Sequence, residues 1–188
     1  MQQVGITQKV NGLEVARLFE TINAIKQAPN LAEFKFRPGN KWIDGARNRS
    51  QITNFYGVGQ ENKHQPEFVL NTDEPPLLLG SGAYPNPVEY LLHAVTACVT
   101  GAIVYHAAAK GIQIQEIESR TEGEVDLRGF LGLDKNIRPG LEKIRIKFKI
   151  KADVPDEQLE EILQLGPKFS PVFDTITHSA PVEVSLDK

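Results

Sequence analysis

The sequence contains a single cysteine, Cys98, in 188 residues. One thiol cannot form an intrachain disulfide, which excludes the small secreted domains that depend on a disulfide framework. We therefore expect the chain to work in a reducing, cytoplasmic environment. The same scarcity makes Cys98 the most distinctive chemical group in the sequence.

The sequence also lacks an excess of positive charge. It has 21 Lys and Arg against 24 Asp and Glu, a net charge of −3, whereas domains that bind nucleic acid are usually basic. No uncharged apolar run approaches the roughly 18 residues of a membrane span. Residues 1–5 carry neither the basic patch nor the apolar stretch of a signal peptide. We therefore expect neither a nucleic acid nor a membrane among its partners.

The residue types that commonly bind metals, His and Cys, are not grouped in the sequence. No two His or Cys residues have the CxxC or helical spacing of metal ligands, and a Gly-x-Ser-x-Gly motif is absent. The four histidines lie in different segments, at His64, His93, His106 and His178. We expect no metal and no cofactor, and a hydrolase with a Cys–His or Ser–His pair fits the sequence poorly.

The first half of the chain combines helix and strand patterns. Residues 11–28 place apolar side chains at helical spacing and end before Pro29, which predicts an amphipathic helix. Residues 31–56 alternate as strands do, and residues 68–70 predict a third, short strand. After a loop rich in Pro and Gly, residues 88–110 predict a long apolar helix.

The second half begins with two predicted strands, residues 112–127 and 141–152. The second alternates isoleucine and phenylalanine with the basic residues Arg145, Lys147 and Lys149, so one face is buried and one is exposed. The first carries acidic residues at positions 116, 118, 122 and 124. These acids are expected to pair with the basic stripe across the sheet, although the stripe is also compatible with an acidic ligand.

The C-terminal third predicts one more helix and one more strand. The helix begins at Pro155 and is expected to break at Gly166–Pro167, with a further helical turn over residues 168–176. Residues 182–186 alternate and predict a last short strand. Because strands and helices occur in groups rather than in strict alternation, the fold class is α+β.

Cys98 lies on an apolar face of the long helix. At 100° per residue, Glu89, His93, Thr96 and Thr100 form one narrow polar stripe, and Cys98 points the other way. Small and apolar residues surround it on that face: Leu91, Ala94, Val95, Gly101, Ala102 and Tyr105. A free cysteine in such a place is usually a small buried packing residue. A reactive thiolate would need a cation from elsewhere in the fold.

Residues 86–98, Asn-Pro-Val-Glu-Tyr-Leu-Leu-His-Ala-Val-Thr-Ala-Cys, resemble the central helix of the OsmC/Ohr family, the osmotically inducible and organic-hydroperoxide-resistance proteins. The family reaches its reactive cysteine at the same distance from an Asn-Pro start. Two strands, a helix, Phe-Ser-Pro-Val at 169–172 and Pro-Val-Glu-Val at 181–184 follow in the family's order. The resemblance covers about residues 31–188, and residues 1–30 are interpreted as an N-terminal helical extension.

The resemblance implies antiparallel sheets around a long central helix, in an intertwined homodimer with its sites at the interface. Cys98 then matches the cysteine whose thiolate attacks a hydroperoxide and becomes a sulfenic acid. An arginine of the N-terminal strand-turn stabilises that thiolate in the family. Residues 41–50 resemble this segment, so Arg47 or Arg49 is the candidate. Leu91, Val95 and Tyr105 would form an apolar wall that favours organic hydroperoxides.

Two residues depart from the family pattern. Val88 stands where hydroperoxide reductases carry an acid, which leaves Glu89, one position later and facing away from Cys98, as the candidate acidic partner of the arginine. Ser170 stands where the resolving cysteine would be. A sulfenic acid at Cys98 would therefore need an external thiol reductant or a partner subunit.

The sequence is compatible with two functions. The first is thiol-dependent reduction of organic hydroperoxides, an oxidative-stress response similar to that of peroxiredoxins, through a single cysteine. The alternative is a non-enzymatic OsmC-like protein that binds a small apolar ligand, with Cys98 as a packing residue. The reactivity of the thiol distinguishes the two.

Overall fold

The computed structural model describes residues 9–187, which form two compact units. One unit comprises Glu14–Tyr90, and the other comprises Lys9–Leu13 together with residues 91–187. In chain order the elements are β1 (Lys9–Val10), β2 (Leu13–Glu14), α1 (Val15–Gln27), β3 (Lys35–Phe36), β4 (Gly39–Asp44), β5 (Arg47–Gly57), β6 (Gln60–Thr72), α2 (Pro87–Ala109), β7 (Ile114–Glu124), α3 (Leu127–Phe130), β8 (Lys143–Ala152), α4 (Asp156–Phe169) and α5 (Pro171–Thr177). The antiparallel sheets and the long helix confirm the α+β fold class.

The predicted N-terminal helix is present but begins four residues later than its periodicity predicts. Residues 9–14 form a small hairpin instead, with Asn11 and Gly12 at φ values of 54° and 79°. The Asn11 amide donates to the Ile112 carbonyl at 3.0 Å and accepts from the Ile114 N–H at 2.7 Å. All of this hairpin except Glu14 therefore belongs to the second unit, while the division of the chain near residue 30 stays a prediction.

The first unit is built around a four-stranded antiparallel sheet. Its central strand β5 pairs with β6 on one side and with β4 and β3 on the other. The short third strand predicted at residues 68–70 is the end of the 13-residue β6. The β4–β5 hairpin turns at Gly45, whose φ of 47° suits a glycine, and the Trp42 indole donates to the Gly45 carbonyl at 3.0 Å.

Helix α2 begins with reciprocal side-chain caps. The Asn86 side chain accepts from the Glu89 backbone N–H, and the Glu89 carboxylate accepts from the Asn86 N–H, both at 2.8 Å. This is a capping box, with Pro87 at the first helical position, where its missing N–H costs nothing. The helix ends before Gly111, at φ 73°, which confirms the predicted long helix.

The core of the second unit lies on one side of α2. Val95, Val99 and Ile103 recur every four residues and are buried against β7, β8, α4 and α5. At Gly166 the helix α4 comes so close that a Cβ atom would lie 2.8 Å from side-chain atoms of Val99 and Ile103. The predicted break at Gly166–Pro167 is wrong, because this packing holds α4 in a helix to Phe169.

The charge pairing predicted across the second sheet is confirmed. The β7–β8 register places Glu118 opposite Lys149 and Glu122 opposite Arg145. The Arg145 guanidinium contacts the carboxylates of both Glu122 and Glu124, and the Lys149 ammonium lies 3.6 Å from Glu118. Glu124 consequently has a lowered pKa, chiefly through its hydrogen bond from Arg145.

The last predicted strand is wrong for this chain. Residues 181–187 are irregular, and Val182, Val184 and Leu186 are 84%, 94% and 81% exposed. An alternating pattern becomes a strand only where a neighbouring backbone supplies hydrogen bonds, and no strand within residues 9–187 pairs with this segment.

Among the described helices, α2 alone is long and apolar enough to cross a membrane by length and composition. The central helices of soluble proteins meet the same criterion, so this is weak evidence for a span. That the chain does not bind a membrane stays a prediction.

Candidate functional site

Cys98 lies near the middle of α2, at the edge of its buried side. It is 60° around the helix from Val95 and 100° from Val99, both of which are buried. Its own side chain is half-buried. The thiol is thus neither enclosed in the core of the second unit nor fully exposed.

The side of α2 around Cys98 is lined by small residues and is open. Ala94, Gly101 and Ala102 are only partly buried, and Tyr105 is exposed. A Cβ atom added at Gly101 would meet no atom within 4 Å. Within the described part of the second unit, no element therefore packs closely against Gly101.

The three predicted pocket residues do not share one pocket in the second unit. Leu91 and Val95 line a groove of about 710 Å³ between α2, β8, α4 and α5. Neither Tyr105 nor Cys98 lines that groove. Tyr105 lies on the open side of α2 instead, half exposed to solvent.

The two candidate arginines lie two residues apart on β5, in the first unit, so their side chains share one face of the sheet. Arg47 makes a bidentate ion pair with Asp44, through Nε–Oδ1 and Nη2–Oδ2 contacts of 2.6 Å each. This hydrogen-bonded pair raises the pKa of Arg47 and lowers that of Asp44. Arg49 donates from Nε to the Asn71 side-chain oxygen at 3.0 Å, and no carboxylate of the described residues forms an ion pair with it.

Within the first unit Asp44 is the acid that holds Arg47, a pair that the sequence analysis did not predict, and the role of Glu89 as acidic partner stays a prediction. Glu89 accepts from the Asn86 backbone at the start of α2, so its carboxylate is used in the capping box. The signal for Asp44 was present in the sequence, because Asp44-Gly45-Ala46-Arg47 places an acid three residues before an arginine across a glycine turn.

Ser170, at the position of the missing resolving cysteine, has a structural role. Its side chain is 1% exposed, and its Oγ accepts from the Phe173 backbone N–H at 3.1 Å, which caps α5. The N–H group at the start of α5 thus gives the serine Oγ a hydrogen-bond partner. Within the described chain, the Ser170 side chain takes part in no other hydrogen bond.

A buried carboxylate, Asp73, was also missed. It is fully buried and accepts hydrogen bonds from the backbone N–H groups of Glu74, Ser81 and Ala83 and from the Ser81 hydroxyl. The Ser81 hydroxyl and these N–H groups lower the pKa of Asp73 to about 2, against the opposing effect of burial. Asp73 thereby fixes the loop that leads into α2.

No group of three His, Cys, Asp or Glu side chains within residues 9–187 is placed to hold a metal ion. The histidine nearest the end of α2, His106, stacks on Phe169 with ring centroids 4.2 Å apart. Burial, with the nearby charges of Lys110 and Lys168, lowers the pKa of His106. This histidine lies in a packing contact between α2 and α4.

Comparison with solved structures supports the fold. The chain matches an OsmC-like protein from Mycoplasma pneumoniae at 16% identity and a TM-score of 0.60, covering 77% of this chain and 89% of that one. It matches an OsmC-like protein of unknown function from Vibrio cholerae at 10% identity and a TM-score of 0.59, covering 75% and 92%. An organic hydroperoxide resistance protein OsmC from Legionella pneumophila matches at 15% identity and 0.51, covering 76% and 90%.

No curated protein matches the chain. The family profile of OsmC-like proteins, in contrast, matches residues 80–185, which include Cys98, the β7–β8 sheet, α4 and α5. This match spans more than half of the sequence, and the solved structures share the fold. The chain belongs to the OsmC-like protein family.

Proposed function

We propose that this protein reduces organic hydroperoxides through the Cys98 thiol, in a response to oxidative stress. The observation that carries the proposal is the position of the thiol, which is half-buried, open on one side and set in the family's central helix. Its structural neighbour from Legionella pneumophila is named as an organic hydroperoxide resistance protein.

The proposed reaction has two halves. The Cys98 thiolate attacks the outer peroxide oxygen, the O–O bond breaks, and the products are a Cys98 sulfenic acid and an alkoxide that takes a proton to become an alcohol. An external thiol then condenses with the sulfenic acid, releasing water and leaving a mixed disulfide. A second thiol regenerates Cys98 and leaves with the first as a disulfide.

The cation for the thiolate is proposed to be Arg47 of the partner subunit in a homodimer. The open side of α2 beside Gly101 leaves room for such a subunit. Asp44 holds the Arg47 guanidinium through Nε and Nη2, so Nη1 keeps its donors free in a fixed orientation. Arg49, which forms no ion pair within the described residues, is the second candidate.

Replacing Arg47 by glutamine is expected to slow the reaction of Cys98 with cumene hydroperoxide by about 10²-fold, because removal of a hydrogen-bonding cation from a developing charge typically costs this much. Asp44→Asn should slow it by a smaller factor, since the guanidinium remains but is no longer held. The rates are measured by stopped flow under single-turnover conditions.

Arg49→Gln is the matched control for this test. The same loss of charge two residues away should change the rate less than threefold if Arg47 is the stabilising group. A large effect of Arg49→Gln with a small effect of Arg47→Gln would transfer the role to Arg49. Two small effects would exclude both arginines.

The proposed function is tested by titrating the free thiol before and after one equivalent of cumene hydroperoxide, and by weighing the intact protein. Rapid loss of the thiol with a gain of one oxygen atom, or with a disulfide between two Cys98 residues, is expected. Because the chain has one cysteine, the change can be assigned without ambiguity. A thiol that reacts only as slowly as free cysteine would refute the proposal and favour the non-enzymatic alternative.

A further inference from the structure

The groove of the second unit has the dimensions of a small-molecule site. Its volume of about 710 Å³ lies within the usual range of roughly 300–1,000 Å³. Its walls are mainly aliphatic and aromatic, and include Val95, Val99, Ile144, Ile146, Phe148 and Phe173. From Lys143 to Phe148 the β8 wall runs for about 17 Å, at the rise per residue of an extended strand. The groove is therefore both long and apolar.

Three charged residues also line the groove, namely Arg138 and Glu142 from the segment before β8 and Lys143 at the start of that strand. Lys143 stands opposite Glu124 in the β7–β8 register and helps to lower its pKa, and Glu142 lies near enough to Arg128 to help raise the pKa of that residue. These two charges thus already have partners in their surroundings.

Arg138 is different, because within residues 9–187 its guanidinium makes neither a hydrogen bond nor an ion pair. The guanidinium lies over Gly140, where a Cβ atom would come within 3.3 Å of Nη2. All five of its N–H donors are consequently available to a ligand of the groove that Arg138 lines. An arginine offers a carboxylate two parallel hydrogen bonds.

We propose that the groove binds a monocarboxylate amphiphile, with the acyl chain along the α2 and β8 walls and the carboxylate on Arg138. One unpaired guanidinium in the lining balances a single negative charge, which favours a carboxylate over a doubly charged phosphate. Cys98 does not line the groove, so this site does not depend on the chemistry of the thiol.

The proposal is tested by calorimetric titration of the full chain with sodium laurate below its micellar concentration. Dodecyltrimethylammonium, with the same chain length and the opposite charge, is the second probe. Arg138→Gln is expected to weaken laurate binding by roughly tenfold, the effect of one charge-assisted hydrogen bond in a partly exposed position, and to leave the cationic probe unaffected. Ile176→Glu, on the α5 wall, is expected to weaken both probes.

Arg120→Gln is the matched control, because it removes the same charge from the outer face of β7, opposite Lys147 in the sheet register. It should change laurate affinity less than twofold. Equal effects of Arg120→Gln and Arg138→Gln would overturn the proposal, since general electrostatics would then explain the binding. Retention of binding in Cys98→Ser is expected, so a failure of the peroxidase proposal would be recognised separately.

Three further results would overturn the proposal. The first is an absence of laurate binding to the folded full chain, as judged by circular dichroism. The second is a higher laurate affinity in Val184→Asp, which would show that the exposed apolar tail occupies the groove. The third is an affinity that falls as the protein concentration rises, which would show that a second copy covers it.

Discussion

Replacement of Cys98 by serine is expected to lower peroxide consumption to the rate of the uncatalysed reaction. A serine hydroxyl has nearly the same size as a thiol, but it does not ionise near neutral pH and does not form the sulfenic acid on which the proposed cycle depends. Because Cys98 is half-buried on a face of small residues, the substitution should change the free energy of unfolding by only about 1 kcal/mol. Activity is measured as loss of cumene hydroperoxide in the presence of a dithiol.

Ala97→Ser is the control for this prediction. It places a hydroxyl one position away on the same helix, on an exposed site, and keeps the thiol. We expect its activity to lie within twofold of the original chain. Equal peroxide consumption by Cys98→Ser and the original chain would show that another group, or the dithiol alone, reduces the peroxide, and Cys98 would then be a packing residue.

The elements that the sequence predicted well are those decided by local patterns. The long helix predicted over residues 88–110 spans Pro87–Ala109, where the Asn86 side chain caps its start and Gly111 follows its end. The alternation of β8 and the acids of β7 likewise specify a two-stranded sheet with paired charges. In each case the decisive interactions join residues on one helix or on adjacent strands.

The predictions that failed depend on distant parts of the chain. Pro167 usually ends a helix, but α4 continues because Gly166 allows close packing against Val99 and Ile103. Residues 182–186 carry a strand pattern but have no pairing partner within the described part of the chain. A tertiary contact overrides local propensity at the first place, and the lack of a pairing strand does so at the second. A single sequence shows neither explicitly.

In the candidate site too, some features follow from local sequence patterns and others depend on contacts that such patterns do not show. The position of Cys98 on α2 follows from helical spacing, so the sequence predicted it. The pairing of Arg47 with Asp44 does not follow from helical spacing, because it forms across the turn between β4 and β5. Asp73 was missed because its four donors come from a loop that has no periodic pattern.

Substitution of Asp73 by asparagine is expected to lower the melting temperature by roughly 5–10 °C at pH 7. The buried carboxylate accepts four hydrogen bonds, and an amide would point an N–H₂ group at some of the same donors. Ser81→Ala removes only the hydroxyl donor and should lower the melting temperature by about 2–4 °C. Both values are measured by differential scanning calorimetry.

The pH dependence of the loss in melting temperature shows whether the negative charge of Asp73 or only the shape of its side chain stabilises the loop. The folded-state pKa of Asp73 is about 2, below the ordinary value of 3.8, so the carboxylate stabilises the folded chain fully above pH 4 and loses this contribution as the pH falls toward 2. The difference in melting temperature between the original chain and Asp73→Asn should therefore shrink over that interval. Asp153→Asn, at an exposed position, should show no such difference. A gap for Asp73→Asn that stays constant from pH 5 to pH 2 would mean that the shape of the loop, and not the ionised carboxylate, accounts for the loss.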